Sequence, residues 1–144
     1  MPYEENRSAL ISHHFLLVII AFIIPMTACG RRNSYSTDID VTMADYQYEP
    51  NEITIPAGQQ ITLNLANNGA APHELVIMKL GTTVGESFGD EDEENIYWEQ
   101  EVEPGQQMSV TFTAPNEPGV YQFVCGIEGH YTAGMKGTIR VVAP

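Results

Sequence analysis

From Ile39 onward the sequence alternates apolar and polar residues in short runs, and this period of two is the signature of half-buried β-strands. The runs are IDVTM (39–43), EITIP (52–56), QITLNLAN (60–67), HELVIM (73–78), MSVTFTA (108–114), VYQFVC (120–125) and GTIRVV (137–142). Turn-forming PAG (56–58), NNGA (67–70), EPGQ (103–106) and NEPG (116–119) separate several of them. No stretch shows the spacing of an amphipathic helix. Seven such strands fit an all-β chain folded as a two-sheet antiparallel sandwich with Greek-key connections. At 144 residues the chain is about one domain long, and no internal repeat is visible.

Between Gly85 and Gly105 the pattern breaks. Glu86, Asp90, Glu91, Asp92, Glu93, Glu94, Glu99, Glu101 and Glu103 lie there with no basic residue among them. Like charges at this density repel, so GDEDEEN (89–95) reads as a solvated loop, or alternatively as an electrostatic docking patch. It lacks the ligand pattern of a calcium-binding EF-hand loop. Over the whole chain 19 acidic residues against 6 basic ones give a net charge of −13, a field that repels phosphate backbones and argues against nucleic-acid binding.

The N-terminal segment has its own logic. FLLVIIAFII (15–24) is an unbroken apolar run about half as long as a bilayer-spanning helix, which suits the hydrophobic region of an export signal. PMTAC (25–29) follows, with small residues just before Cys29. This resembles a bacterial lipoprotein signal. Residues 1–28 then form the signal peptide, Cys29 becomes the lipid-modified first residue, and 30–38 (GRRNSYSTD) form a polar tether to a domain spanning 39–144. An uncleaved signal anchor and a simple secretory signal are the alternatives, and each still leaves the domain outside the cytoplasm.

Cys29 and Cys125 would suffice for one disulfide, but their contexts separate them. Beyond residue 28 only two histidines remain, His73 and His130, and Cys125 is the one cysteine other than Cys29. In CGIEGHYTAGM (125–135), Cys125, His130 and Met135 follow one another at intervals of five, on a loop between two strand-like runs. Taken singly, Met135 would be core filler, His73 a surface residue and Cys125 an inert buried thiol. Together, a thiolate, two imidazoles and a thioether are the donors of a blue-copper site, with two His and one Cys in a trigonal plane and a weak axial Met. Soft sulfur suits Cu(I) and imidazole accommodates Cu(II), so one geometry serves both oxidation states. Zinc prefers four strong ligands, and thioether is a poor one.

On these residues the domain resembles the cupredoxins, the blue copper family of plastocyanin and azurin, and within it most of all the auracyanins. The most specific stretch is CGIEGHYTAGMKGTIRV (125–141), and NGAAPHEL (68–75) resembles the approach to the family's first ligand. The resemblance implies one copper ion held by His73, Cys125, His130 and Met135. It also implies bracing of the copper loop by Asn67 or Asn68, with Asn68 as the candidate. Pro72 would stiffen the backbone beside His73, Gly134 would let the chain approach the metal closely, and Tyr131 would cover the rim. The function it implies is that of a monomeric, membrane-tethered electron carrier on the outer, periplasmic face of the cell membrane. Its partners would be redox proteins: a cytochrome, a quinol-oxidising complex, a reaction centre or an oxidase. A copper chaperone or store is the alternative, although such proteins favour Met- and His-rich open sites. Multicopper catalysis would need further His ligands, and none remain.

Overall fold

The computed structural model describes residues 35–144; the signal segment, Cys29 and most of the tether lie outside the described residues. The strands are β1 (Asp38–Ala44), β2 (Gln47–Glu49), β3 (Glu52–Pro56), β4 (Gln60–Asn67), β5 (His73–Met78), β6 (Ile96–Val102), β7 (Gln107–Thr113), β8 (Gly119–Val124) and β9 (Lys136–Val142). A 3₁₀ turn at Glu93–Asn95 precedes β6. Among the described residues no helix is long and apolar enough to cross a membrane.

The strands form two sheets, in the order β2-β1-β4-β7 and β3-β9-β8-β5-β6. The all-β sandwich expected from the alternation is therefore present, with one correction: it is not wholly antiparallel. β1 pairs with β4 in parallel, Asp38 opposite Thr62, and β3 pairs with β9 in parallel, Glu52 opposite Thr138. Alternation alone does not separate the two pairings, because inward and outward positions recur every second residue in either direction.

Each run turns its apolar parity inward. Ile39, Val41 and Met43 of β1, Ile61, Leu63 and Leu65 of β4, Leu75 and Ile77 of β5, Tyr121 and Phe123 of β8, and Ile139 and Val141 of β9 fill the space between the sheets. Each such side chain contributes about 1.5–3 kcal/mol by leaving water, so the frame behind the strand ends is rigid. β5 and β8 are covered on their other face too. There Val76, Met78, Val124, Val84 and Tyr131 form a second cluster against Phe88 and Ile96.

That cover revises the reading of the acidic stretch. Its first part is the expected loop, with Asp90, Glu91, Glu93 and Glu94 exposed, but Asp92 is buried and its carboxylate accepts the Gly89 amide at 3.1 Å. Its second part is strand β6, paired with β5 from His73 opposite Val102 to Met78 opposite Ile96. Tyr97, Glu99 and Glu101 are its outward positions.

Candidate metal centre

Two neighbouring strand ends of the five-stranded sheet meet at the centre. His73 opens β5, directly after half-buried Pro72, and Cys125 follows the last residue of β8, the strand beside it. From Cys125 the chain makes a closed loop before β9. The His130 amide donates to the Ile127 carbonyl at 3.0 Å and the Met135 amide to the His130 carbonyl at 3.0 Å, while the Cys125 amide donates to the Met135 carbonyl at 3.1 Å. The five-residue spacing thus returns both His130 and Met135 to the level of Cys125.

His73 Nδ1 lies 3.2 Å from His130 Nδ1, which lies 3.3 Å from Cys125 Sγ. One donor atom from each of the three residues falls within 4.8 Å of the others. His73, Cys125 and Met135 are fully buried, and His130 is 7% exposed, so it alone of the four reaches the surface. Cys125 is a free thiol whose sulfur accepts the Glu74 amide at 3.3 Å. The thiolate, two imidazoles and buried thioether together fit copper, and the sulfur donors argue against magnesium or calcium.

The electrostatics prepare the donors for a cation. Burial, reinforced by the neighbouring His73, holds His130 below the ordinary histidine range, which leaves its imidazole neutral. Burial pushes the Cys125 thiol up against the opposing pull of the Glu74 and Ile127 amides, so a thiolate here gains from a bound positive charge. Asp45 is held below the usual carboxylate range, chiefly by the Ala70 amide and then by His73.

The surrounding residues differ from expectation in two ways. The side chain that braces the loop is Asn67, not Asn68. Asn67 is fully buried; its amide nitrogen donates to the Ala71 and Val102 carbonyls at 2.9 and 2.8 Å, and its Oδ1 accepts the Gly69 amide at 2.8 Å. Asn68 is exposed. The parity of β4 held the signal: Asn67 continues the inward series Ile61, Leu63, Leu65. Gly134 has a positive φ of 108°, which glycine adopts without strain, and a Cβ there would meet no protein atom within 4 Å. A close approach occurs at Gly69, where a Cβ would sit 2.6 Å from His73 Nε2. Tyr131 does not cover the rim. It faces the outer cluster, with its hydroxyl donating to the Val84 carbonyl at 3.1 Å.

Two residues that the sequence did not single out complete the site. Tyr46, 44% exposed, takes the rim position, with its ring centroid 4.7 Å from that of His130. Asp45 places Oδ1 2.8 Å from His73 Nε2. Both lie in the β1–β2 turn, far from His73 in sequence and without a motif to mark them.

Comparison with known proteins agrees with this architecture. A family model described as a cupredoxin-like domain matches residues 14–141. Auracyanin-A of Chloroflexus aurantiacus is 28% identical over 154 aligned positions, covering 88% of this chain and 94% of that protein. Auracyanin-B of the same organism is 30% identical over 105 positions, covering 62% of this chain, which spans only 44% of that relative. Among solved structures, dithionite-reduced auracyanin from the photosynthetic bacterium Roseiflexus castenholzii has a TM-score of 0.63 at 33% identity, covering 76% of this chain and 99% of that one. Matching its family model over nearly the whole length, and folded as the same two-sheet sandwich, this chain belongs to the cupredoxin-like family.

Proposed function

We propose that this protein is a mononuclear blue (type 1) copper electron carrier, tethered outside the cytoplasm through lipidated Cys29 and passing single electrons between redox proteins. The observation that carries the reading is the convergence of one donor atom each from His73, Cys125 and His130 within 4.8 Å, where the ends of two packed strands meet the 125–135 loop. A bound copper ion supplies a one-electron couple there. β5, β8 and the closed 125–135 loop leave the donors little freedom, which would keep reorganisation between the two oxidation states small. Met135, buried at the end of that loop, would add a weak thioether donor that tunes the couple. His130, edged by Tyr46, is the ligand nearest the surface and the exit for the electron. Tethering rests on the sequence of residues 15–29, and a cytochrome, quinol-oxidising complex, reaction centre or oxidase is the class of partner.

The test is spectroscopic. The full chain loaded with Cu(II) shows an intense visible thiolate-to-copper band that bleaches on reduction. Cys125→Ser abolishes it, while Met135→Leu keeps it and raises the reduction potential. A colourless copper-loaded protein, or equal loss in both variants, refutes the reading. In cells, wild-type protein fractionates with membranes and takes up lipid label, and Cys29→Ser does not; unchanged labelling would remove the anchor from the proposal.

A further inference from the structure

His73 has its second ring nitrogen engaged by a charged side chain. Asp45 Oδ1 lies 2.8 Å from His73 Nε2, and the other oxygen of the same carboxylate accepts the Ala70 amide at 3.0 Å. The carboxylate is thus held at both oxygens, between the β1–β2 turn and the loop that leads into β5. His73 is fully buried, while the Asp45 side chain is one-third exposed. Gly69 makes the approach possible, because any side chain there would meet both Asp45 and His73 Nε2. An acceptor-only group facing Nε2 requires the proton to sit on Nε2. That leaves Nδ1 as a bare lone pair, directed towards His130 Nδ1 and Cys125 Sγ.

From this geometry we infer that Asp45 is a positioning residue for the metal centre: its carboxylate fixes His73 in the Nε2–H tautomer and, through its negative charge, favours the oxidised over the reduced centre. The inference rests on the copper reading for its second half alone, because the tautomer is a property of the metal-free protein. Carboxylate partners of ligating imidazoles orient the ring and make it more basic, and such outer partners commonly carry about 10–100-fold in metal affinity. A negative charge behind the ligand acts more strongly on Cu(II) than on Cu(I). Asp45 therefore holds the reduction potential down.

Two measurements test the inference on the full chain. In the metal-free wild type, long-range ¹H–¹⁵N correlation of the imidazoles should show His73 protonated at Nε2. Asp45→Asn keeps one acceptor oxygen and should keep that tautomer; Asp45→Ala should give a mixture. With copper bound, Asp45→Asn should retain the visible band while its electron-partition equilibrium shifts towards the reduced state by about tenfold, or about 59 mV for a one-electron couple. A merely structural role would leave the potential of Asp45→Asn at the wild-type value. That result, or His73 protonated at Nδ1 in the metal-free wild type, overturns the inference. A wild type without the blue band would count against the copper reading and leave the tautomer result standing.

Discussion

Asn67 is the side chain on which the two sheets and the loop into His73 depend together. It extends from β4 in one sheet and donates one proton to the Val102 carbonyl of β6 in the other, one to the Ala71 carbonyl, and accepts the Gly69 amide. All three bonds are lost in Asn67→Ala, and the Val102 carbonyl is left without this donor in a buried setting, the Ala71 carbonyl in a half-buried one. At about 1 kcal/mol net per bond, the loss is about 3 kcal/mol, and the orphaned groups push it upward. For a domain of this size that corresponds to a fall in Tm of about 12 °C. The assay is urea unfolding of the metal-free protein, because bound metal would add its own stabilisation. The midpoint should fall with the m-value unchanged. Asn67→Asp, nearly the same shape, keeps only the acceptor for Gly69 and places a charge against two carbonyls, so it should cost at least as much. Asn68→Ala, on the outward parity, should stay within about 0.5 kcal/mol of wild type. A cost below about 1 kcal/mol for Asn67→Ala, or equal costs at the two positions, would refute the reasoning.

Two further outcomes follow from the charges. Burial first, and then Glu99, Glu101 and Glu93, raise the Glu74 carboxyl from 4.5 to about 7, so the folded protein keeps a proton that the unfolded chain has released. Stability of the metal-free protein from this group is complete below about pH 4.5 and is lost as pH rises through about 7; Glu74→Gln should flatten that slope, and an unchanged slope contradicts it. Replacing exposed Asp90, Glu91, Glu93 and Glu94 by Asn and Gln, while sparing buried Asp92, should slow electron transfer to a basic redox partner at low salt. The rates should converge as the Debye length falls from about 30 Å at 0.01 M to about 10 Å at 0.1 M salt, and an unchanged low-salt rate would make the run a solubilising surface only.

The strands that the sequence missed show where alternation stops being informative. β2 is three residues long, too short for a period to register. β6 does alternate, but Tyr97, Glu99 and Glu101 occupy its outward positions and Gln100 an inward one, so its carboxylates joined the acidic run before it and hid the strand. Asn67 is the opposite case. The inward parity of Ile61, Leu63 and Leu65 already pointed to it, and a polar residue on that face is conspicuous once the register is followed to the end of β4.

By itself the sequence determined the class of fold and the candidate donor residues. Period-two alternation permits little besides half-buried strands, and a Cys, a His and a Met at equal spacing on one loop return to one level when that loop closes. Those are local properties, carried by neighbours along the chain. Tertiary structure alone decided which strands run parallel, that Tyr46 and not Tyr131 borders His130, and that Asp45 stands behind His73. Each of these depends on segments far apart in sequence being brought together by the packing of the two sheets. Such a contact requires only a suitable side chain at either end, and a lone Asp in a turn looks the same whether it faces water or a buried imidazole.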